Sequence, residues 1–364
     1  AGAWLRGGWA AAPWSVRSAA GAPRGAPVAL TGKDLDDWAA GPAVVGHAHS
    51  RPSSEPYALS TVRELSGGAG LPEGWGSRLV SAAGMKSTVC PNQDSFSYTI
   101  LRSGWLVCVA CDGHGSHGHT ISERVARAIP LHFSSHAPTM EPDEALHRAF
   151  LDTQAGLEVS HGDAQRFSGS TAAAYCVQLR SGRTWVAHAG DSRVVLGDLG
   201  SGEVVFSTEE HKPHDQGEAE RLERRGAQVI SRSYEDGELV SRVFVPGTGA
   251  PGLAMSRSLG DGCLKPYGVV AAPNVREVSA LWQACDAPIA VLATDGLFDT
   301  ISTRETAAAL ASRRRGGLDV RRGAEVLLRR SQRLWIQAEG DYCDDITILL
   351  VAPSESLAPL PSEP

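Results

Sequence analysis

The stretch WLVCVACDGHG at residues 105–115 joins an apolar run to an Asp-Gly turn. Its first seven residues, from Trp105 to Cys111, are predominantly bulky and apolar, which predicts a buried β-strand. Asp112 follows the run directly, so the sheet would hold its backbone in place. A carboxylate fixed at the mouth of a strand has the rigidity that an oxygen-ligated divalent cation requires.

Three other aspartates lie in the same setting beside strand-like runs: Asp94 before residues 96–100, Asp295 after residues 291–294, and Asp344 before residues 346–351. A single Asp-Gly pair is usually only a turn. Carboxylates at the ends of buried strands, however, are costly unless a cation pairs with them. The recurrence therefore favours a divalent-metal site, and with it a metal-dependent hydrolase, over four independent turns.

The chain has 364 residues, a formal net charge of -7 and seven cysteines. Without an overall basic field, we expect no nucleic-acid partner. No apolar stretch approaches the roughly 18 residues of a membrane span, so we expect none. The odd number of cysteines and their scattered positions are typical of a reducing compartment, so we expect the cytoplasm or nucleus. We also expect a monomeric protein. Cys108 and Cys111 would point to opposite faces of one strand, which favours buried thiols over a zinc or redox pair.

The domain organisation follows from local composition. Residues 1–33 are rich in Ala, Gly and Pro and contain no acidic residue. We expect residues 1–74 to form a low-complexity, disordered N-terminal arm, for which an organelle-targeting role is the open alternative. Residues 75–352 are expected to form one domain, and residues 353–364, rich in Pro and Ser, a loose tail.

The order of the elements indicates the fold class. Strand-like runs at residues 98–111 and 171–196 come in blocks with helical periodicities near residues 121–129, 141–150, 303–313 and 320–336. Strands and helices that come in blocks, rather than in strict alternation, predict an α+β domain with largely antiparallel sheets.

The motifs, taken together, resemble those of a known family. In order, they are Asp112-Gly113-His114-Gly115, Gly169-Ser170-Thr171, Gly190-Asp191-Ser192-Arg193, His211-Lys212-Pro213, Ser256-Arg257-Ser258-Leu259-Gly260-Asp261, Asp295-Gly296-Leu297-Phe298-Asp299 and Asp344-Asp345-Ile346-Thr347. Their order from Asn92 to Val351 is similar to that of the type 2C, metal-dependent serine/threonine protein phosphatases. This resemblance implies a central sandwich of two antiparallel β-sheets flanked by helices on both sides, in four αββα layers.

The resemblance also implies a set of metal-binding residues for two Mg²⁺ or Mn²⁺ ions and a weaker third ion. Asp112 would bridge the two metals, and the Gly113 carbonyl would complete one site. The other implied ligands are Asp295 and Asp344, then Gln93 and Asp94 at the position of a Glu-Asp pair, and Asp191 and Asp299 at the third site.

The activity implied by the resemblance is hydrolysis of phosphoserine and phosphothreonine in phosphorylated proteins by a metal-activated water, without a covalent phosphoenzyme. His114, next to the bridging aspartate, would be the general acid for the departing alkoxide. The alternative is that His114 only orients Asp112. His117 and His119 follow closely, but three imidazoles without a cysteine or carboxylate partner are weak evidence for zinc.

Two departures from the family pattern fall before Asp94. Members commonly carry an arginine there that holds the substrate phosphate, whereas this chain offers only Lys86, a point charge that would bind phosphate more weakly. Gln93 replaces a glutamate and removes one negative charge, which predicts lower metal affinity. Residues 213–250 correspond to the family's mobile flap, where substrate choice is usually set.

Two alternative functions remain open from the sequence. A non-catalytic or weakly active relative that serves as a protein-binding module would not need four costly acids. A hydrolase of small phosphoesters would need a deep, apolar-lined pocket.

Overall fold

The computed structural model describes residues 30–49, 61–66, 74–86, 91–233, 237 and 239–358. Its α-helices are α1 Gly32–Ala39, α2 Gly118–His136, α3 Pro142–Ser160, α4 Gln216–Arg224, α5 Ser279–Gln283, α6 Asp295–Phe298, α7 Thr303–Arg315, α8 Gly323–Glu339 and α9 Ser354–Leu357. Its strands are β1 Val44–His49, β2 Thr61–Ser66, β3 Trp75–Ala82, β4 Ser95–Leu101, β5 Trp105–Cys111, β6 Gly113–His114, β7 Gly169–Ser170, β8 Ala172–Gln178, β9 Thr184–Ala189, β10 Arg193–Asp198, β11 Glu203–Ser207, β12 Gln228–Ser233, β13 Leu239–Phe244, β14 Pro251–Leu253, β15 Leu259–Gly260, β16 Asn274–Glu277, β17 Pro288–Ala293 and β18 Ile346–Pro353.

Two six-stranded sheets form the centre of the domain. The first has the order β1-β4-β5-β8-β9-β16 and the second the order β11-β10-β17-β18-β3-β2. Neighbouring strands within both sheets run antiparallel. The expected α+β class with antiparallel sheets is therefore confirmed.

Strand β5 shows how the sequence builds the layers. Its alternate residues Leu106, Cys108 and Ala110 face the interior between the two sheets. The others, including Val107 and Val109, pack against helices on the outer side. Because successive side chains of a strand point to opposite faces, an uninterrupted apolar run predicts burial on both sides. Cys108 and Cys111 accordingly lie in different cores as free thiols, as expected from their spacing.

Helices cover both outer faces of the sandwich. α2 and α3 pack on the first sheet through residues such as Ile121 and Phe150. α7 and α8 pack on the second sheet through residues such as Leu310 and Leu327. The four αββα layers expected from the resemblance are thus present. In the described part of the chain, each helix is too short or too polar to cross a membrane.

The structure corrects the domain boundary expected at residue 75. Strand β1 pairs with β4 in the first sheet, and β2 pairs with β3 in the second. α1 packs against β1 and α2, with Leu35 2% exposed. Short segments such as Val44–His49, which contains two histidines and a glycine, carry too weak a period-two pattern to be recognised as strands. Residues 1–29 of the expected arm lie outside the described residues.

The expected tail also begins too early. Strand β18 continues to Pro353, and the short helix α9 follows it with Leu357 buried at 3% exposure. The domain therefore extends at least to this leucine, while residues 359–364 lie outside the described part of the chain. The expected flap, 213–250, contains α4, β12 and β13.

Candidate active site

Strand ends from both sheets place the acidic residues at one end of the sandwich. In antiparallel pairs the start of one strand lies beside the end of its neighbour. Ser95 pairs with Cys111, so Asp94 and Asp112 lie side by side at this end of the first sheet. Ala293 pairs with Ile348, which brings Asp295 and Asp344 to the corresponding end of the second sheet.

The backbone of Asp112 is held by the next strand of the first sheet. Its N–H donates to the Thr171 hydroxyl at 2.9 Å, and the Thr171 N–H donates to the Asp112 carbonyl at 2.8 Å. The Thr171 hydroxyl also lies 2.6 Å from that of Ser192. The motifs that contain Asp112, Thr171 and Ser192 are thereby joined. These contacts account for the hydroxyl residues Thr171 and Ser192 in two of the motifs.

The carboxylates are close enough to perturb one another. Burial, followed by the charges of Asp295 and Asp94, raises the pKa of Asp112 well above its usual range. Burial, followed by the charges of Asp191, Asp299 and Asp344, raises the pKa of Asp295 to about 8. The side chains of Asp112 and Asp295 also share a hydrogen bond. Like charges confined in one cleft resist joint ionisation, so this site favours either protons or cations.

Several buried oxygens at this site have no hydrogen-bond partner in the described part of the chain. They are Oδ1 of Asp94, Oδ1 of Asp191 and Oδ1 of Asp295. Asp94 accepts instead through Oδ2, from the Thr294 hydroxyl at 2.8 Å. An orphaned carboxylate oxygen is a costly feature for a fold to retain, and it is the donor type that Mg²⁺ and Mn²⁺ prefer. The donor set therefore fits hard divalent cations.

Lys86 lies among these acids at the Asp344 side. Its ammonium nitrogen is 2.5 Å from Asp344 Oδ1 and 3.2 Å from Asp345 Oδ2. Burial alone would lower the pKa of Lys86, but the charges of Asp112, Asp344 and Asp345 raise it above its ordinary value, so the side chain is cationic.

Among the described residues, no three His, Cys, Asp or Glu side chains already form a ready-made metal ligand set.

Asp191 and Asp299, the pair expected at the third metal site, lie close to the positively charged side chain of Lys212. The Lys212 ammonium donates to Asp191 Oδ2 at 2.9 Å and lies 3.1 Å from Glu210. Asp299 follows α6, and Asp191, Lys212 and Glu210 are among its charged neighbours. The structure thus brings this pair together beside Asp295, with one lysine partly offsetting their charge.

His114 forms a dyad that the sequence motifs alone did not indicate. Its Nε2 lies 2.8 Å from Oδ2 of Asp261, which is 1% exposed. Burial alone would lower the pKa of His114, but the charge and hydrogen bond of Asp261 raise it. The ring Nδ1 is buried and has no partner among the described residues. Nε2 of His114 thus bonds to Asp261 and not to Asp112. This partner favours the general-acid role of His114 over the role of orienting Asp112.

The backbone around this dyad is specialised. Asp261 has a φ of 49°, a left-handed conformation that non-glycine residues rarely adopt. A Cβ on Gly169 would lie 2.1 Å from Asp261 Oδ2 and 2.6 Å from His114 Nε2. Glycine at this position is therefore required by the close approach of the two side chains.

Gln93 connects the start of β4 to the loop that carries His114. Its side-chain amide donates to the Gly115 carbonyl at 2.6 Å, and its backbone N–H donates to Asp345 Oδ2 at 3.0 Å. A glutamate carboxylate could not make the first of these bonds. The amide nitrogen is thus committed to the loop, and any part that Gln93 plays in metal binding falls to its oxygen. The adjacent Gly113 allows close packing, because a Cβ there would lie 2.3 Å from the Gly118 carbonyl.

The structure brings the predicted acids, Lys86 and His114 within range of one another's charges, and it adds other residues. Asp261 and Asp345 were part of quoted motifs but had no expected role. Asp345 is buried at 3% exposure and accepts from the backbone N–H groups of Gly84 and Gln93. The sequence did mark both as candidates, since each is an acid within a motif that contains other site residues. It could not show their roles, because the groups that they contact lie far away in the sequence.

Comparisons with known proteins agree with this geometry. The family model for protein phosphatase 2C matches residues 89–333. Probable protein phosphatase 2C 34 of Arabidopsis thaliana is 32% identical over 277 residues, covering 70% of this chain and 74% of that protein. Probable protein phosphatase 2C 64 of Oryza sativa subsp. japonica is 34% identical over 212 residues, which span 55% of this chain and only 48% of the rice protein.

A solved structure shows the same fold. The crystal structure of serine-threonine phosphatase 2C from Toxoplasma gondii aligns with a TM-score of 0.64 at 19% identity, covering 85% of this chain and 100% of that one. The family match, which extends over more than half of the chain, provides the assignment. The chain belongs to the protein phosphatase 2C family of protein serine/threonine phosphatases.

Proposed function

We propose that this chain hydrolyses phosphoserine and phosphothreonine in phosphorylated proteins with Mg²⁺ or Mn²⁺ bound in the cleft. The observation that carries the proposal is the cluster of Asp94, Asp112 and Asp295, whose pKa values are raised by burial and by the charges of neighbouring acids. Two of these aspartates also keep a buried oxygen without a partner among the residues that the structure describes. Such a cluster is stable as a set of anions only when cations are bound.

The roles of the ligands follow from their positions. Asp112 is the proposed bridge, because its charged neighbours include Asp94, Asp295 and Asp344. The Gly113 carbonyl, Asp94 and Gln93 would support one ion, and Asp295 with Asp344 the other. Asp191 and Asp299 would hold a weaker third ion. When bound, the ions supply an activated water and neutralise charge on the phosphoryl group.

His114 is the proposed general acid. Asp261 accepts from Nε2 and stabilises the imidazolium, so the ring is oriented and protonated near neutral pH. Its Nδ1–H, which none of the described residues binds, is the proton available to the departing serine or threonine oxygen. A hydrogen-bonded His-Asp pair holds one ring nitrogen so that the other can act.

The surroundings favour a protein substrate over a small phosphoester. A cavity of about 470 Å³ is lined by Arg193, Thr208, Glu209, Glu210, Lys212, His214 and Asp215. This lining is polar and charged, whereas pockets for small ligands are mostly apolar. Lys212 in the lining contacts Asp191, so the cavity adjoins the acidic cluster and could receive the polar side chains that flank a phosphoresidue.

The test is phosphate release from a phosphothreonine peptide with MnCl₂ or with EDTA. We expect activity only with the metal, and a loss of about 10³-fold or more for Asp112→Asn and Asp295→Asn, because each removes charge from the ion site. Asp37→Asn, at an exposed position paired with Lys33, is the matched control. Equal activity in the cleft variants would refute the metal assignment, and inactivity of every protein would favour a binding module.

A further inference from the structure

We propose that Lys86 is a built-in counter-ion of the metal-free cleft, and that metal binding at Asp344 displaces its ammonium group. The inference rests on the proposed function, since it assumes that Asp344 binds a metal ion. It assigns Lys86 a role before substrate arrives, in addition to the phosphate contact expected from the sequence.

The first support is that both oxygens of Asp344 are already engaged by its own chain. Oδ1 lies 2.5 Å from the Lys86 ammonium nitrogen. Oδ2 accepts from the Tyr342 hydroxyl at 3.1 Å. Oδ1 also accepts from the Asp345 N–H at 2.7 Å. A cation that used the lone pairs facing these donors could bind Asp344 only after one of the contacts was broken. The ammonium is the stronger competitor, because it carries a full charge and is closer.

The second support is that the contact is fixed by the backbone. The Met85 N–H donates to the Cys343 carbonyl at 2.7 Å, and the Gly84 N–H donates to Asp345 Oδ1 at 2.6 Å. A Cβ on Gly84 would lie 2.3 Å from the Cys343 carbonyl, so the two segments need glycine to come this close. Lys86 therefore emerges directly beside Asp344, and little extra chain ordering is needed for the pair to form.

The third support is the balance of charge. Asp345 is 3% exposed, and the Lys86 ammonium lies 3.2 Å from it as well as beside Asp344. The same ammonium interacts with the charge of Asp112. A single positive group thus faces three acids of the cleft. Removing it from the metal-free protein leaves partly buried anions without compensation, which is strongly unfavourable.

The consequence is a coupling between metal and lysine. A divalent ion supplies two positive charges to the same acids, so it replaces the lysine and frees its ammonium. The freed side chain remains attached at the rim by Gly84 and Met85, where it can meet the phosphoryl group of a substrate. Metal affinity is reduced, and in return the negative charge of the metal-free cleft is partly offset.

The experiment compares the full chain with Lys86→Met, which keeps length and loses charge. Calorimetric titration with Mn²⁺ should show binding about tenfold tighter in Lys86→Met, equivalent to about 1.4 kcal/mol. In EDTA the same variant should melt at a lower temperature than the wild type. Lys86→Arg retains the cation and should bind metal close to the wild-type affinity. Lys33→Met, which removes an exposed lysine paired with Asp37, should change neither property.

The outcomes separate this inference from the proposed function. If Lys86→Met binds Mn²⁺ no more tightly than wild type, or melts at the same temperature in EDTA, the counter-ion role is refuted while the metal centre stands. If the wild type and Lys86→Met both fail to bind Mn²⁺, the metal centre and this inference fall together. Should Lys86→Met not fold, Lys86→Gln, which keeps a donor without the charge, must give the same two shifts.

Discussion

Replacing Asp295 by asparagine should stabilise the metal-free protein at high pH and remove its stabilisation by metal. The pKa of Asp295 is raised by burial and by neighbouring acids from 3.8 to about 8. Between these values the folded state binds more protons than the unfolded state, so stability is lost as pH rises through this window. The amide of an asparagine carries no charge and can still donate to Asp112.

The magnitude follows from proton linkage. One carboxyl can lower the free energy of unfolding by up to about 1.4 kcal/mol per pH unit, or about 4 kcal/mol between pH 5 and pH 8. Asp295 is partly open to water and shares a hydrogen bond with Asp112, so we expect about half, near 2 kcal/mol. Relative to the wild type in EDTA, Asp295→Asn should therefore gain about 2 kcal/mol over this range.

The assay is urea unfolding at pH 5, 6, 7 and 8, in EDTA and in 10 mM MgCl₂. In EDTA the stability advantage of Asp295→Asn should grow with pH. In Mg²⁺ the order should reverse, because only the wild type gains free energy from the bound ion. A variant that is less stable than wild type in EDTA at pH 8, or that gains as much from Mg²⁺, would refute the reasoning.

Three further substitutions test individual contacts. His114→Asn should lower kcat on a phosphothreonine peptide by about 10²- to 10⁴-fold but should affect kcat on p-nitrophenyl phosphate much less, because that leaving group needs no proton. Equal losses on both substrates would contradict the acid role, and His117→Asn on the same loop is the control. Gly169→Ala should displace the histidine from its aspartate partner, since its Cβ would lie 2.6 Å from His114 Nε2, and should reproduce the same leaving-group dependence in a protein that circular dichroism shows to be folded. Gln93→Glu loses the hydrogen bond to the Gly115 carbonyl and adds an anion, so in EDTA its free energy of unfolding should fall by about 1 kcal/mol, while calorimetry should show tighter Mn²⁺ binding. A variant that is more stable than the wild type in EDTA would overturn this account of the glutamine.

The sequence predicts the acidic cluster because each acid borders a recognisable strand. The run before Asp112 is apolar throughout, the run at residues 346–351 is apolar except for Thr347, and both are buried strands in the structure. The layered fold and the ligand set came from the order of the motifs. Spacing alone would not have shown that the two sheets present their strand ends to one cleft, since that depends on strand order within each sheet.

Other features depend on contacts that local patterns do not encode. Asp261 meets His114 across 147 positions of sequence and through a left-handed backbone conformation. Lys86 meets Asp344 because two segments that are far apart in the chain pack closely together at Gly84. Strands β1 and β2 were missed because their pairing partners, rather than their own composition, hold them in the sheets. Tertiary context overrides weak local signals in each case.

The most direct test of the metal centre is a count of bound Mn²⁺ by equilibrium dialysis of the wild type, Asp112→Asn, Asp295→Asn and the exposed control Asp37→Asn. We expect about two ions per wild-type and control chain, and one or none in the two cleft variants, since each acid belongs to the proposed shared ion site. Wild-type protein without bound Mn²⁺, or cleft variants that retain the full number of ions, would contradict the account.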